Sequence, residues 1–225
     1  MGCFDVRRSR ATLRYGHERP GPELKAFQRK GLRPNARVNS RVKWPVLRVL
    51  TTALLLGILA VSQQSLAPYV PTPQDVVDRM LRLAAVTRED VVYDLGCGDG
   101  RIPISASQTY GARGVGIDID PRRIDESRAN AKAAGVEHLV EFRLEDALDA
   151  DVSSATVVTL YLLGSSNAKL RPLLTRQLKP GARIVSHAFS MGPTWPADTI
   201  DQFTSAAGDE VTLYLWKVDG TIRRF

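Results

Sequence analysis

From residue 69 onward the apolar residues switch between helical and strand-like spacing, and each switch marks an element. Val76, Val77, Met80, Leu81 and Ala84 recur at spacings of one, three and four residues and form one stripe of a helix. Thr72 reads as its N-cap and Pro73 as its first helical residue, with an end near Val86-Thr87. Short apolar runs follow at Val91–Leu95, Gly114–Asp118, Leu139–Arg143, Ala155–Leu163 and Ala182–His187, and these read as buried strands. Helical patterns lie between them over Ile102–Tyr110, from Arg122 to about Ala134, and over Asn167–Leu178. Strand and helix in this rhythm predict an α/β fold with a parallel sheet and right-handed crossovers.

The stretch with most chemical content is Val91-Val92-Tyr93-Asp94-Leu95-Gly96-Cys97-Gly98-Asp99-Gly100-Arg101-Ile102. A β-branched and aromatic run stops at three alternate glycines, Gly96, Gly98 and Gly100, and a helical pattern begins at once. Glycine removes Cβ where the chain turns sharply and a ligand touches peptide atoms, and the helix start offers free N–H groups. A dinucleotide fingerprint has the spacing G-x-G-x-x-G and receives a pyrophosphate. Here Asp94 and Asp99 flank the turn; they repel a pyrophosphate and suit an ammonium or sulfonium. Asp118 ends the next strand about twenty residues on, where α/β nucleotide sites place an acid on the ribose hydroxyls. Asp120, directly before Pro121, reads as a helix cap.

Asp94-Leu95-Gly96-Cys97-Gly98-Asp99-Gly100 resembles the first motif of class I S-adenosylmethionine-dependent methyltransferases. With Pro71-Thr72-Pro73 ahead of a helix, residues 68–218 are similar to small membrane-associated protein-lysine methyltransferases of mitochondria. Those enzymes modify the ATP synthase c-subunit and the adenine nucleotide translocase, and many bacterial proteins look like them. The resemblance implies a Rossmann-like, seven-stranded and mostly parallel sheet with helices on both faces, closed by an antiparallel hairpin over Ile200–Thr204 and Val211–Val218. It implies S-adenosyl-L-methionine as cofactor, held by Asp94, Gly96, Cys97, Gly98, Asp99, Gly100 and Asp118. Asp146, after the third strand, is implied as the acid on the adenine amine, and Tyr69, Thr72 and Pro73 as a lid over the cofactor.

The end of the fourth strand is where an acceptor meets the methyl group, by the rule for open α/β sheets. Thr159, Tyr161 and Leu162 are candidates to line that place, and Tyr161 is the candidate catalytic residue. Trp195, between Pro193 and Pro196, is a candidate wall of the acceptor channel. His187 stands near the same edge, as a base, a polar lid residue or, first among these, a hydrogen-bonded structural histidine. No Asn/Asp-Pro-Pro-Tyr/Phe stretch occurs, which disfavours adenine and glutamine amides as acceptors.

Charge divides the chain. Residues 1–48 hold thirteen Lys and Arg against three Asp and Glu, leaving eighteen against twenty-one in the remainder. Residues 1–43 read as a basic disordered tail and 44–67 as a hydrophobic signal or anchor, ahead of a methyltransferase domain over 68–225. The apolar run Val49–Val61 is thirteen residues long, short for a bilayer span of about twenty. Membrane association through 44–67 with the domain on the cytoplasmic side is the first expectation, and export after cleavage at Ala60-Val61-Ser62 the second. The tail has neither aromatic interleaving nor a nucleic-acid module, so no nucleic-acid partner is expected. Two cysteines and three scattered histidines give no metal spacing. The sequence supports a protein-lysine N-methyltransferase first, then a small-molecule methyltransferase, then a tethered non-catalytic binding protein with the same fold.

Overall fold

The computed structural model describes residues 65–221, so the basic tail and the apolar run before Ser65 lie outside the described residues. The elements run α1 (Gln74–Leu83), β1 (Val91–Leu95), α2 (Arg101–Tyr110), β2 (Arg113–Asp118), α3 (Pro121–Ala133), β3 (Val140–Leu144), β4 (Val157–Leu160), α4 (Gly164–Gln177), β5 (Arg183–His187), β6 (Thr199–Thr204) and β7 (Glu210–Lys217). The strands form one seven-stranded sheet in the order β3-β2-β1-β4-β5-β7-β6. The first five pair in parallel, and β7 runs antiparallel between β5 and β6. This is the expected mostly parallel sheet with its closing hairpin.

Consecutive side chains of a strand face opposite ways, and the two layers follow from that rule. Val92, Val157 and Val185 pack with α1 and α2, whereas Tyr93, Val158 and Ile184 pack with Leu170, Leu173 and Leu174 of α4. Strands covered on both faces explain the unbroken apolar runs in the sequence. Leu160 is fully buried between these layers, and its replacement by alanine is worth about 2–5 kcal/mol of stability. Gly116 serves the same packing on β2: a Cβ there would lie 2.5 Å from the Phe142 ring and 2.8 Å from Cys97 Sγ.

Three boundaries differ from expectation. Pro73, not Thr72, is the N-cap of α1; its ψ of 147° is extended and no side chain caps the helix. Thr72 is instead buried, and its carbonyl accepts from Arg101 Nη1 at 2.7 Å. Helix α4 begins at Gly164, three residues before the predicted start, because the Leu163 carbonyl accepts from the N–H groups of both Ser166 and Asn167. Strand β4 ends at Leu160, paired with Leu95 and Ser186. Tyr161, Leu162 and Leu163 therefore leave the ladder.

Candidate active site

The sheet order reverses between β1 and β4, and open α/β sheets form their ligand crevice at such a switch point. The glycine turn fills that place. Gly96 and Cys97 both donate their N–H to the Ile117 carbonyl, at 2.8 and 2.9 Å, and Gly98 N–H donates to Asp118 Oδ2 at 2.9 Å. Gly98 has φ +53°, and a Cβ there would lie 2.5 Å from the Tyr69 ring. Tyr69 thus lies directly on the turn, and the Arg123 guanidinium sits 3.8 Å from its ring centroid.

A cavity of about 490 Å³ opens beside the turn. Its floor comes from Asp94, Gly96, Cys97 and Gly98, one side from Ile117–Asp120 with Glu145, Asp146 and Ala147, and the other from Tyr161, Leu162 and Leu163. The segment Ser65–Thr72 closes it, held by the Ser166 hydroxyl, which donates to the Leu66 carbonyl, and by Arg101 on Thr72. Leu66 and Ala67 also pack against the core.

Six carboxylates line the cavity, Asp94, Asp99, Asp118, Asp120, Glu145 and Asp146, against Arg101, Arg122 and Arg123. Arg101 pairs with Asp99, Arg122 with Asp120, and Arg123 with Glu126. Burial alone would raise the Asp99 carboxyl, but the hydrogen bonds and charge of Arg101 outweigh it and hold the group below its ordinary range. Asp99 therefore meets the cavity already paired with Arg101. Asp94, Asp118, Glu145 and Asp146 form no ion pair among the described residues. Asp94 is buried, accepts from Thr159 Oγ1 at 2.8 Å, and is pushed up to about 7 by burial, with Asp118 and Asp99 adding to the rise. A cationic ligand beside it restores the ionised form.

Of the predicted positions, Tyr69, Thr72, Asp94, Gly96, Cys97, Gly98, Asp99, Asp118, Asp146 and Tyr161 meet at this cavity. Gly100 lies behind it, where a Cβ would strike Phe142 and Ser127, and Pro73 lies just past the roof. Thr159 is fully buried under Asp94. Burial pushes the Cys97 thiol up, so it remains a protonated packing group. Trp195 is no channel wall: it is buried in the core, and its carbonyl accepts from Trp216 Nε1 at 3.0 Å. His187 is buried and stacks on Tyr161 at a centroid separation of 3.9 Å, but its Nδ1 has no hydrogen-bond partner. Arg101, Arg123 and the Ser65–Ala67 strip escape sequence reasoning; Arg101 beside Asp99 is the one available signal. Among the described residues no cluster of His, Cys, Asp or Glu could hold a metal ion, and no helix is long and apolar enough to cross a membrane.

The cavity is of a size that takes a small organic ligand. A Cβ-free turn, an acid at the end of β2 and an acidic excess fit a nucleoside joined to a cationic amino-acid sulfonium. Fold and site together define a methyltransferase that uses S-adenosyl-L-methionine.

A family model described as the ANTKMT methyltransferase domain matches residues 94–199. The chain is 43% identical over 149 residues to a protein-lysine N-methyltransferase of Saccharolobus islandicus, covering 66% of this chain and 92% of that protein. It is 31% identical over 133 residues to a lysine N-methyltransferase of Xenopus laevis named for the ATP synthase c-subunit, covering 59% of this chain and 58% of that protein. A crystal structure described as an RNA methyltransferase from Salinibacter ruber in complex with S-adenosyl-L-homocysteine is 55% identical, with a TM-score of 0.64 over 69% of this chain and 98% of that one. The chain belongs to this family of S-adenosylmethionine-dependent methyltransferases.

Proposed function

We propose that the chain methylates a lysine side-chain nitrogen of a protein acceptor. One observation carries the choice of acceptor: the relative that this chain matches over 92% of its length, at 43% identity, is named a protein-lysine N-methyltransferase. The relative named for the ATP synthase c-subunit supports the same reading.

In this reading Asp118 takes the ribose hydroxyls, Asp146 the adenine amine, and Asp94 the amino group, while Tyr69 and Thr72 roof the cofactor. The cofactor supplies a methyl group on a positively charged sulfur. The chain's own contribution is alignment and exclusion of water, which give large effective molarities. The apolar surroundings of Tyr161 and Leu162 lower the pKa of an entering lysine, so the nitrogen arrives with its lone pair free. We further propose that 44–67 holds the protein at a membrane with the domain on the cytoplasmic side. The basic residues ahead of it favour an anionic surface.

A second reading, RNA methylation, is favoured by the description of the Salinibacter ruber structure. Methyl-labelled cofactor, incubated with the full-length protein and a cell extract, separates the two. Label in protein that is recovered as methyl-lysine on hydrolysis supports the lysine reading, and label in the RNA fraction overturns it. Co-sedimentation of the full-length protein with anionic vesicles, lost on deleting 44–61, tests the membrane assignment.

A further inference from the structure

Large apolar side chains scattered singly over a surface need no explanation, but several at one opening do. Among the described residues the exposed ones are Tyr69, Val70, Leu144, Leu163, Phe189 and Ile200. Tyr69, Val70 and Leu163 all line the cavity beside the glycine turn, and the other three do not. Tyr69 is accounted for by its seat on Gly98 and by the Arg123 guanidinium over its ring. Val70 and Leu163 are 54% and 41% exposed, and the cofactor assignments above use neither.

Leu163 is the stronger case, because the helix it starts favours a different residue there. It is the N-cap of α4, with ψ 152°, and its carbonyl accepts from the N–H groups of Ser166 and Asn167 at 2.9 and 3.0 Å. Serine, threonine, aspartate and asparagine suit that position, because their side-chain oxygen accepts an N–H of the first turn, and leucine ranks far below them. No side chain caps α4. The chain thus forgoes a cap and leaves an isobutyl group exposed at the cavity. Its neighbour Leu162 shows the contrast: it is buried, and a Cβ on Gly96 would lie 3.0 Å from its Cδ2. Leu162 packs the turn, and Leu163 is left for something outside the fold.

The position of these residues limits what they can meet. Asp94, Asp118 and Asp146, assigned to the cofactor, belong to the floor and to the β2 and β3 side of the cavity. The wall that remains for an acceptor is Tyr161–Leu163, beyond β4, together with the strip that carries Val70. An acceptor nitrogen that enters here brings the groups next to it on its own chain against the rim. Neither rim side chain holds a charge or a hydrogen-bonding atom, so what they select is apolar surface.

Resting on the lysine reading above, we propose that Val70 and Leu163 form an apolar rim that receives an aliphatic side chain adjoining the acceptor lysine. The partner is an extended polypeptide segment in which the lysine is flanked by leucine, isoleucine or valine. Leu163 is a specificity-determining residue of the transfer and takes no part in its chemistry.

The test uses the full-length protein, methyl-labelled cofactor and two short blocked peptides, identical except that the central lysine is flanked by leucines in one and by glycines in the other. S-adenosylhomocysteine affinity is read by calorimetry. Leu163→Ser removes the apolar side chain and supplies the missing cap, so its melting temperature is expected to be no lower than that of wild type. The expected wild-type result is a kcat/KM about tenfold higher for the leucine-flanked peptide, the size of partly burying an aliphatic side chain. In Leu163→Ser that ratio should fall to about two, with S-adenosylhomocysteine affinity within about twofold of wild type. Val70→Thr, similar in shape but carrying a hydroxyl, should lower the ratio in the same direction. Equal use of the two peptides by wild type, or a ratio kept in Leu163→Ser, would overturn the proposal. A kept ratio with co-sedimentation on anionic vesicles lost would assign the rim to a bilayer, and one with self-association lost to a second copy of the chain. A parallel loss of S-adenosylhomocysteine affinity would also overturn it, by assigning Leu163 to the cofactor site. Wild-type protein that binds S-adenosylhomocysteine but labels neither peptide would overturn the lysine reading, and the rim with it.

Discussion

Asp118 Oδ2 accepts the Gly98 N–H at 2.9 Å, while Oδ1 accepts the Asp120 N–H at the same distance. One carboxylate thus ties the glycine turn of β1 to the helix start after β2. Replacing it by alanine leaves both N–H groups without their acceptor and costs about 1–3 kcal/mol of stability. Calorimetry should show loss of S-adenosylmethionine binding in Asp118→Ala. Asp118→Asn keeps one acceptor and should retain more stability than affinity.

Glycine positions separate strain from contact. Gly98→Ala combines positive φ with a Cβ 2.5 Å from the Tyr69 ring, so Tyr69 must leave the turn and cofactor affinity falls sharply. Gly135→Ala has φ +71° but no atom within 4 Å. It should cost about 1–2 kcal/mol in thermal unfolding from strain alone, at unchanged cofactor affinity.

Asp94 and His187 give opposite slopes of stability with pH. The Asp94 carboxyl is raised to about 7 in the folded chain, so its contribution is full below about 4 and is lost as pH rises through 7. The His187 imidazole is lowered to about 4, so its contribution is full above about 6.5 and is lost as pH falls through 4. Urea titrations of Asp94→Asn should lose the alkaline decline. In wild type, cofactor binding should release a proton near pH 7 and tighten as pH rises from 6 to 8; a flat profile would contradict a cation beside Asp94.

Arg101 holds Asp99 through a two-nitrogen pair and the roof through the Thr72 carbonyl. The pair is largely buried, with side-chain exposure of 31% for Arg101 and 13% for Asp99, so Arg101→Ala should cost about 1–3 kcal/mol in global stability. A second effect should appear in stopped-flow traces as faster cofactor release, because Ser65–Thr72 loses an anchor. Release at the wild-type rate would mean that Tyr69 and Ser166 hold the roof alone.

What is legible in the sequence is what backbone geometry forces on residue type. Gly96, Gly98 and Gly100 all have positive φ, and strands buried on both faces require unbroken apolar runs. What escapes depends on partners distant in the chain. The apolar run past Leu160 looks like strand, yet the ladder ends where Leu95 and Ser186 end. Trp195 between two prolines looks like a surface loop, until Trp216 Nε1 needs an acceptor. Thr72 looks like a cap because threonine commonly is one, but the extended Pro73 takes that position and frees Thr72 for Arg101. The unpartnered Nδ1 of His187 is invisible to any one-dimensional pattern.

The roof of the cavity is also the strip of chain that joins the domain to everything before Ser65. Ser65–Thr72 is short and belongs to no helix or strand, and it is pinned at Leu66 by Ser166 and at Thr72 by Arg101. Tyr69 therefore lies between two fixed points, so the roof over the glycine turn is held at both ends and not hinged at one.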